Sequence, residues 1–185
     1  MSSSLVLLDE FNISSALANV TIGGGSSGSS GLNYSIDDTY NVYILTINNL
    51  QVSADDVPIM RVTKSGTAQS DAVYDSAGTY LKSDASFTSF GTQDNNKIDC
   101  MTTIESSVSG GNGNAIYYFF NFPNTGEFSF VTIEEAHFQQ NDNAVRGIQA
   151  GFAHTVASAS DGVFIALDAG NNMTAGTFKL YGLNK

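Results

Sequence analysis

Apolar side chains recur at every second position, not every third or fourth, through most of this chain. Ala16, Ala18, Val20 and Ile22 share one face, as do Val42, Ile44 and Thr46, with Tyr43, Leu45 and Ile47 opposite. A period of two belongs to strands, whose successive side chains point to opposite faces. Residues 57–64 form a strand candidate with Pro58 suited to its start. Residues 115–122 alternate Ile116, Tyr118, Phe120 and Phe122 with Tyr117 and Phe119, so both faces are apolar. Such a strand is central, or is covered by a neighbouring subunit. Pro123-Asn124-Thr125-Gly126 reads as a β-turn, and residues 127–138, 144–156 and 163–167 continue as strands.

The chain finishes on one more strand, Gly176-Thr177-Phe178-Lys179-Leu180-Tyr181-Gly182-Leu183. Phe178 and Leu180 point one way, Thr177, Lys179 and Tyr181 the other. A strand in that position is expected to be paired and packed for the fold to close. Two segments break the alternation: the Gly/Ser tract 23–31, expected to be a flexible loop, and the Ser/Gly/Asn-rich stretch 108–114. Residues 70–83 and 84–90 fit no template. No amphipathic helix is evident, so the pattern predicts an all-β chain: an antiparallel two-sheet β-sandwich, jelly-roll-like. At 185 residues, the span 1–185 is expected to be a single domain with a sizeable core.

Charge narrows the partners. Seven Lys and Arg stand against 18 Asp and Glu, giving a net charge of −11. The basic residues Arg61, Lys64, Lys82, Lys97, Arg146, Lys179 and Lys185 never cluster. Without a basic patch there is no counterion release to favour phosphates, so nucleic-acid binding is not expected. No apolar run approaches the ~20 residues of a helical membrane span, so no membrane insertion is expected. The block Leu5 to Leu8 is too short for a signal peptide and has no basic residue before it. The expectation is a protein made in the cytoplasm and kept there or released by lysis.

Candidate chemistry is thin. The lone Cys100 alternates in phase with Ile98, Thr102 and Ile104, which reads as a small buried hydrophobe rather than a nucleophile. Gly23, Gly25 and Gly28 satisfy a dinucleotide-binding spacing, but no helix starts there and the tract is simply Gly/Ser-rich. Glu134-Glu135-Ala136-His137 would present two metal ligands on a helix; on a strand, Glu135 and His137 share a face and Glu134 lies opposite. His154 is the only other histidine, in phase with Ala150, Phe152 and Val156, where a hydrogen-bonded, partly buried ring is expected. Asp37-Asp38, Asp55-Asp56, Asp94-Asn95-Asn96 and Asn141-Asp142-Asn143 lack the order of a calcium loop and suit turns. Glu105, Glu127, Glu134 and Glu135 show no spacing that marks a glycosidase pair. No catalytic residue, cofactor or metal is assigned. With 12 Phe, 8 Tyr and no Trp, the aromatics are the remaining lead; Tyr117 and Phe119 are the pair expected at a subunit interface.

The final Gly-Thr-Phe-Lys-Leu-Tyr-Gly-Leu strand, with the earlier Tyr40-Asn41-Val42-Tyr43-Ile44-Leu45 strand, resembles the closing and opening strands of β-rich bacteriophage virion proteins of the tail-fibre and decoration type. The resemblance implies a non-enzymatic virion surface protein: a fibre, knob or adaptor of the tail, or a capsid decoration. It implies self-association, commonly as a homotrimer, contact with other virion proteins, and contact with a host surface glycan or protein. The chain lacks the shaft repeats of a fibre. A carbohydrate-binding or polysaccharide-hydrolysing jelly-roll module is the alternative, because sandwiches host both kinds of function.

Overall fold

In the computed structural model, which describes residues 4–23, 30–106 and 111–183, the alternation becomes fourteen strands, with no helix among the described residues. The first half holds β1 (Leu5–Asn12), β2 (Asn19–Gly23), β3 (Gly31–Leu32), β4 (Val42–Val52), β5 (Pro58–Lys64), β6 (Thr67–Ala68) and β7 (Tyr74–Lys82). The second half holds β8 (Phe87–Asn95), β9 (Ile98–Asp99), β10 (Gly113–Phe120), β11 (Ser129–Gln139), β12 (Ala144–His154), β13 (Gly162–Leu167) and β14 (Met173–Leu183). An eight-stranded sheet runs β1-β14-β4-β10-β11-β12-β7-β8. A smaller sheet runs β3-β2-β13-β5-β6, with β9 also pairing β5.

The two sheets form a β-sandwich. Neighbours pair antiparallel throughout, except that β2 and β3 are parallel. Long-range pairs are nested: β1 with β14, β2 with β13, and β7 with β12. That winding is the jelly-roll feature; the β10–β11–β12 meander within one sheet is a departure from it. Tyr43, Leu45 and Ile47 of β4, Tyr117 and Phe119 of β10, and Phe178 and Leu180 of β14 are fully buried against Val20, Ile22, Met60, Val163 and Ile165 of the smaller sheet.

Buried tyrosines tie the layers with polar as well as apolar contact. The Tyr74 hydroxyl accepts from the Val62 amide at 3.1 Å and donates to the Gln69 carbonyl at 2.8 Å. Tyr117 donates to the Cys100 carbonyl at 3.0 Å. Burying these hydroxyls is tolerable because each has a partner.

The Gly/Ser tract is partly ladder. Residues 24–29 lie outside the described residues, but Gly23 closes β2 and Gly31 opens β3, opposite Thr21. A Cβ at Gly31 would lie 1.8 Å from the Thr21 carbonyl oxygen, so only glycine fits that approach. Residues 108–110 of the second expected loop are likewise outside the description, and Gly113 and Asn114 already belong to β10.

Residues 70–83 and 84–90, which fit no template, supply β7 and β8 at one border of the larger sheet. There the smaller sheet no longer lies beneath, and nearly every residue of β8 is exposed. A strand covered on neither face needs no apolar alternation. At the other border, the β1–β14 register shifts between Leu7 and Asp9. The bulge turns Asp9 inward, where its Oδ2 accepts from the Asn33 amide at 2.7 Å.

Phe178 is wholly buried in the strand between β1 and β4. Phe178→Ala should therefore cost about 3–5 kcal/mol, read as a lower midpoint in urea denaturation. Thr177→Ala, on the outer face of the same strand, should shift the midpoint by less than about 1 kcal/mol.

Candidate functional site

Eight strands packed over a narrower sheet leave one end of the inner face without a strand above it. Along β11 the inward residues are apolar at Val131 and Ile133, then change to Glu135, His137 and Gln139. Across the ladder His137 pairs with Arg146, which pairs with Lys82. The segment after β9 lies over this polar end, burying Cys100, Met101, Ile104 and Glu105. Glu105 accepts from the amides of Gln140 and Asn141, at 2.7 and 3.2 Å, and so fixes the β11–β12 turn.

Glu135 and His137 do share a face, as strand geometry requires, and both side chains are fully buried. His137 Nδ1 lies 2.5 Å from Glu135 Oε1. Thr102 Oγ1 lies 3.3 Å from that same Nδ1 and 3.3 Å from Glu135 Oε1. In a nucleophile–histidine–acid relay the acid holds one ring nitrogen and the other serves the nucleophile. Here acid and hydroxyl crowd one nitrogen, and buried Nε2 has no partner. The arrangement orients the ring and holds the loop without activating Thr102.

Beside this pair opens a pocket of about 230 Å³ walled by Tyr80, Asp99, Thr102, Thr103, Gln139 and Arg146. Tyr80 is held flat by stacking on Phe90, with ring centroids 4.4 Å apart. Burial, and then the Asp99 carboxylate, raise its phenol above the usual range. Arg146 is anchored by an ion pair to Asp142, and Lys97 lies 3.6 Å from Asp99 while pairing with Asp168. Two buried polar atoms of the pocket residues have no hydrogen-bond partner: Arg146 Nε, a donor, and Asp99 Oδ1, an acceptor.

The interface expectation for Tyr117 and Phe119 needs correction. They are 0% and 1% exposed within a single chain, stacked on each other, with Phe119 against Phe122. They occupy the core because the smaller sheet covers that face of β10. The alternate residues of the same strand, Ile116, Tyr118 and Phe120, are the ones that look outward.

That outer face is continuous. One row reads Leu5, Leu183, Val42, Phe120, Phe130 and Ala153 across β1, β14, β4, β10, β11 and β12. The next reads Leu7, Tyr181, Ile44, Tyr118, Thr132 and Gly151. Neither row contains a charge. Leu5 is 53% exposed and Phe130 42%.

The remaining candidates are accounted for. Burial pushes the Cys100 thiol up to about 12, and its Sγ lies 3.3 Å from the Pro58 carbonyl, so it is a core residue. The acidic residues clasp loops: Asp37 accepts from the Thr39 amide and the Tyr43 hydroxyl, Asp55 from the Ser106 amide, and Asp56 from the amides of Val57 and Ala169. His137 and His154 lie opposite Arg146 and Ser129 on the β11–β12 ladder, about 27 Å apart along the strands. They cannot share a ligand. His154 differs from expectation in having no partner at Nδ1; its ring packs 5.3 Å from Tyr74. The pocket residues themselves were not singled out from sequence, although Arg146, in phase with buried Ile148 and Phe152, was the available signal.

No known family, curated protein or solved structure matches this chain.

Burial, reinforced by Lys64, lowers the His154 pKa to about 4. An unfolded histidine titrates near ~6.5. Above that both states are neutral; as pH falls below it, only the unfolded chain takes up the proton, so the fold loses stability until about pH 4. Chemical denaturation from pH 7 to 4 should show this slope, and His154→Phe should flatten it.

Proposed function

We propose that the protein is a non-enzymatic structural protein of the bacteriophage virion surface, part of a tail appendage or a capsid decoration, acting through assembly with copies of itself and other virion proteins. The observation that carries this reading is the pair of uncharged, largely apolar rows on the outer face of the eight-stranded sheet. Contiguous apolar patches of more than a few hundred Å² mark interaction surfaces, and this one crosses six strands, about 30 Å of sheet. Chains of net charge −11 repel one another. They can approach most easily through the end of that face where two adjacent rows carry no charge across six strands, which favours a second copy as occupant.

The resemblance points the same way. Its two motif strands, β4 and β14, are hydrogen-bonded neighbours, and Val42, Ile44, Tyr181 and Leu183 all lie in the outer rows. A hydrolytic reading has less support. Among the described residues, Asp99 is the one carboxylate that walls the pocket beside the Glu135–His137 pair, whereas glycosidases set two across the scissile bond.

Light scattering of the purified chain should give a homo-oligomeric mass, a trimer by resemblance. Phe130→Glu, on the exposed face, should convert it to monomer while far-ultraviolet circular dichroism stays that of a β protein. A wild-type monomer at tens of micromolar would overturn self-assembly. Tyr117→Phe serves as a control: it removes the bond to the Cys100 carbonyl, costs about 1 kcal/mol, and leaves the mass unchanged.

A further inference from the structure

The geometry points to a recognition site for one neutral monosaccharide unit in the pocket walled by Tyr80, Asp99, Thr102, Thr103, Gln139 and Arg146, on the opposite side of the larger sheet from the assembly face. This inference stands on the pocket alone and does not depend on how the chains assemble.

Three features select that ligand. The first is a pair of buried atoms without a hydrogen bond. Arg146 Nε is a donor; Asp99 Oδ1 is an acceptor whose neighbouring charge, Lys97 Nζ, stands 3.6 Å away, beyond hydrogen-bond reach; both residues wall one pocket. Leaving a buried polar atom unpaired is costly, and a hydroxyl, which donates and accepts at once, satisfies either atom. Vicinal hydroxyls on a sugar ring can answer both together. Gln139, Thr102 and Thr103 add further groups of mixed donor and acceptor character.

The second is the aromatic platform. Tyr80 is immobilised by its stack on Phe90 and by β7, which flanks β12 in the sheet. A rigid ring beside polar groups suits the apolar C–H face of a pyranose, whose rim carries the hydroxyls.

The third is charge and size. Arg146 is already paired with Asp142, and Lys97 with Asp99 and Asp168, so no cation is left unpaired among the pocket's charged groups. In a chain of net charge −11, that disfavours a free anion. A volume of about 230 Å³ is below that of drug-sized sites and fits a single ring, the end or a branch of a longer glycan.

The test is saturation-transfer NMR on the intact protein with the methyl glycosides of glucose, galactose, mannose, N-acetylglucosamine and N-acetylgalactosamine, each to 10 mM. At least one should bind with Kd of about 1 mM, as befits a ligand of roughly a dozen heavy atoms. Asp99→Asn, nearly isosteric and half exposed, should weaken it at least tenfold. Tyr80→Ala should abolish it, with Gln139→Ala as the second variant should Tyr80→Ala not fold. Phe130→Glu, on the other face, should leave binding unchanged. Absence of transfer to every glycoside would overturn the inference. So would binding that survives both Asp99→Asn and the Tyr80 or Gln139 change. Displacement by millimolar inorganic phosphate, lost in Arg146→Gln but kept in Asp99→Asn, would make it an anion site instead.

Discussion

Burial of the larger sheet's inner face governs this molecule. Three central strands of the eight, β4, β10 and β14, present Tyr43, Leu45, Ile47, Tyr117, Phe119, Phe178 and Leu180 to a partner layer that is narrower. Where strands of the smaller sheet lie opposite, the packing is apolar and the residues are large. Beyond its border the inner face must be closed by the segment following β9, and there the side chains turn polar. Such a segment carries unpaired backbone groups that a purely apolar floor could not satisfy, and Glu135 meets that need through Thr102. The pocket is thus a consequence of unequal sheets.

The two surfaces of the larger sheet accordingly differ in kind. The inner end concentrates hydrogen-bonding groups in a recess, while the outer face offers breadth, with two adjacent rows free of charge across six strands. Occupying one need not disturb the other, because the β10–β11–β12 meander separates them by a single backbone layer whose alternate side chains belong to opposite faces.

Much of the fold was legible because each well-covered strand carries its own signature. Residues 42–47, 115–122 and the terminal strand alternate as their burial demands, and the shared face of Glu135 and His137 follows from the same rule. Less legible were β7 and β8, whose exposure removes the apolar signal. Tyr117 and Phe119 were misplaced for a related reason. Alternation shows that a strand has two faces and that both are apolar, but not which one meets the second sheet. The pocket was hidden for another: Tyr80, Asp99 and Arg146 come from β7, β9 and β12, so only the sheet order brings them together. Aromatic residues on both sides of a strand are therefore better read as one core face and one free face.

The inward turn of Asp9 bears on how large any assembly can grow. An open border strand offers a row of amides and carbonyls to any passing chain, and that template has no natural stopping point. In β1 the bulge at residues 7–9 breaks the row, and Glu10, paired to Lys179 at 3.1 Å, follows with an exposed charge. Strand-by-strand growth into filaments is blunted at that border. At this border an inward-facing carboxylate thus acts as a stop signal, withholding the regular ladder that another chain's strand would need.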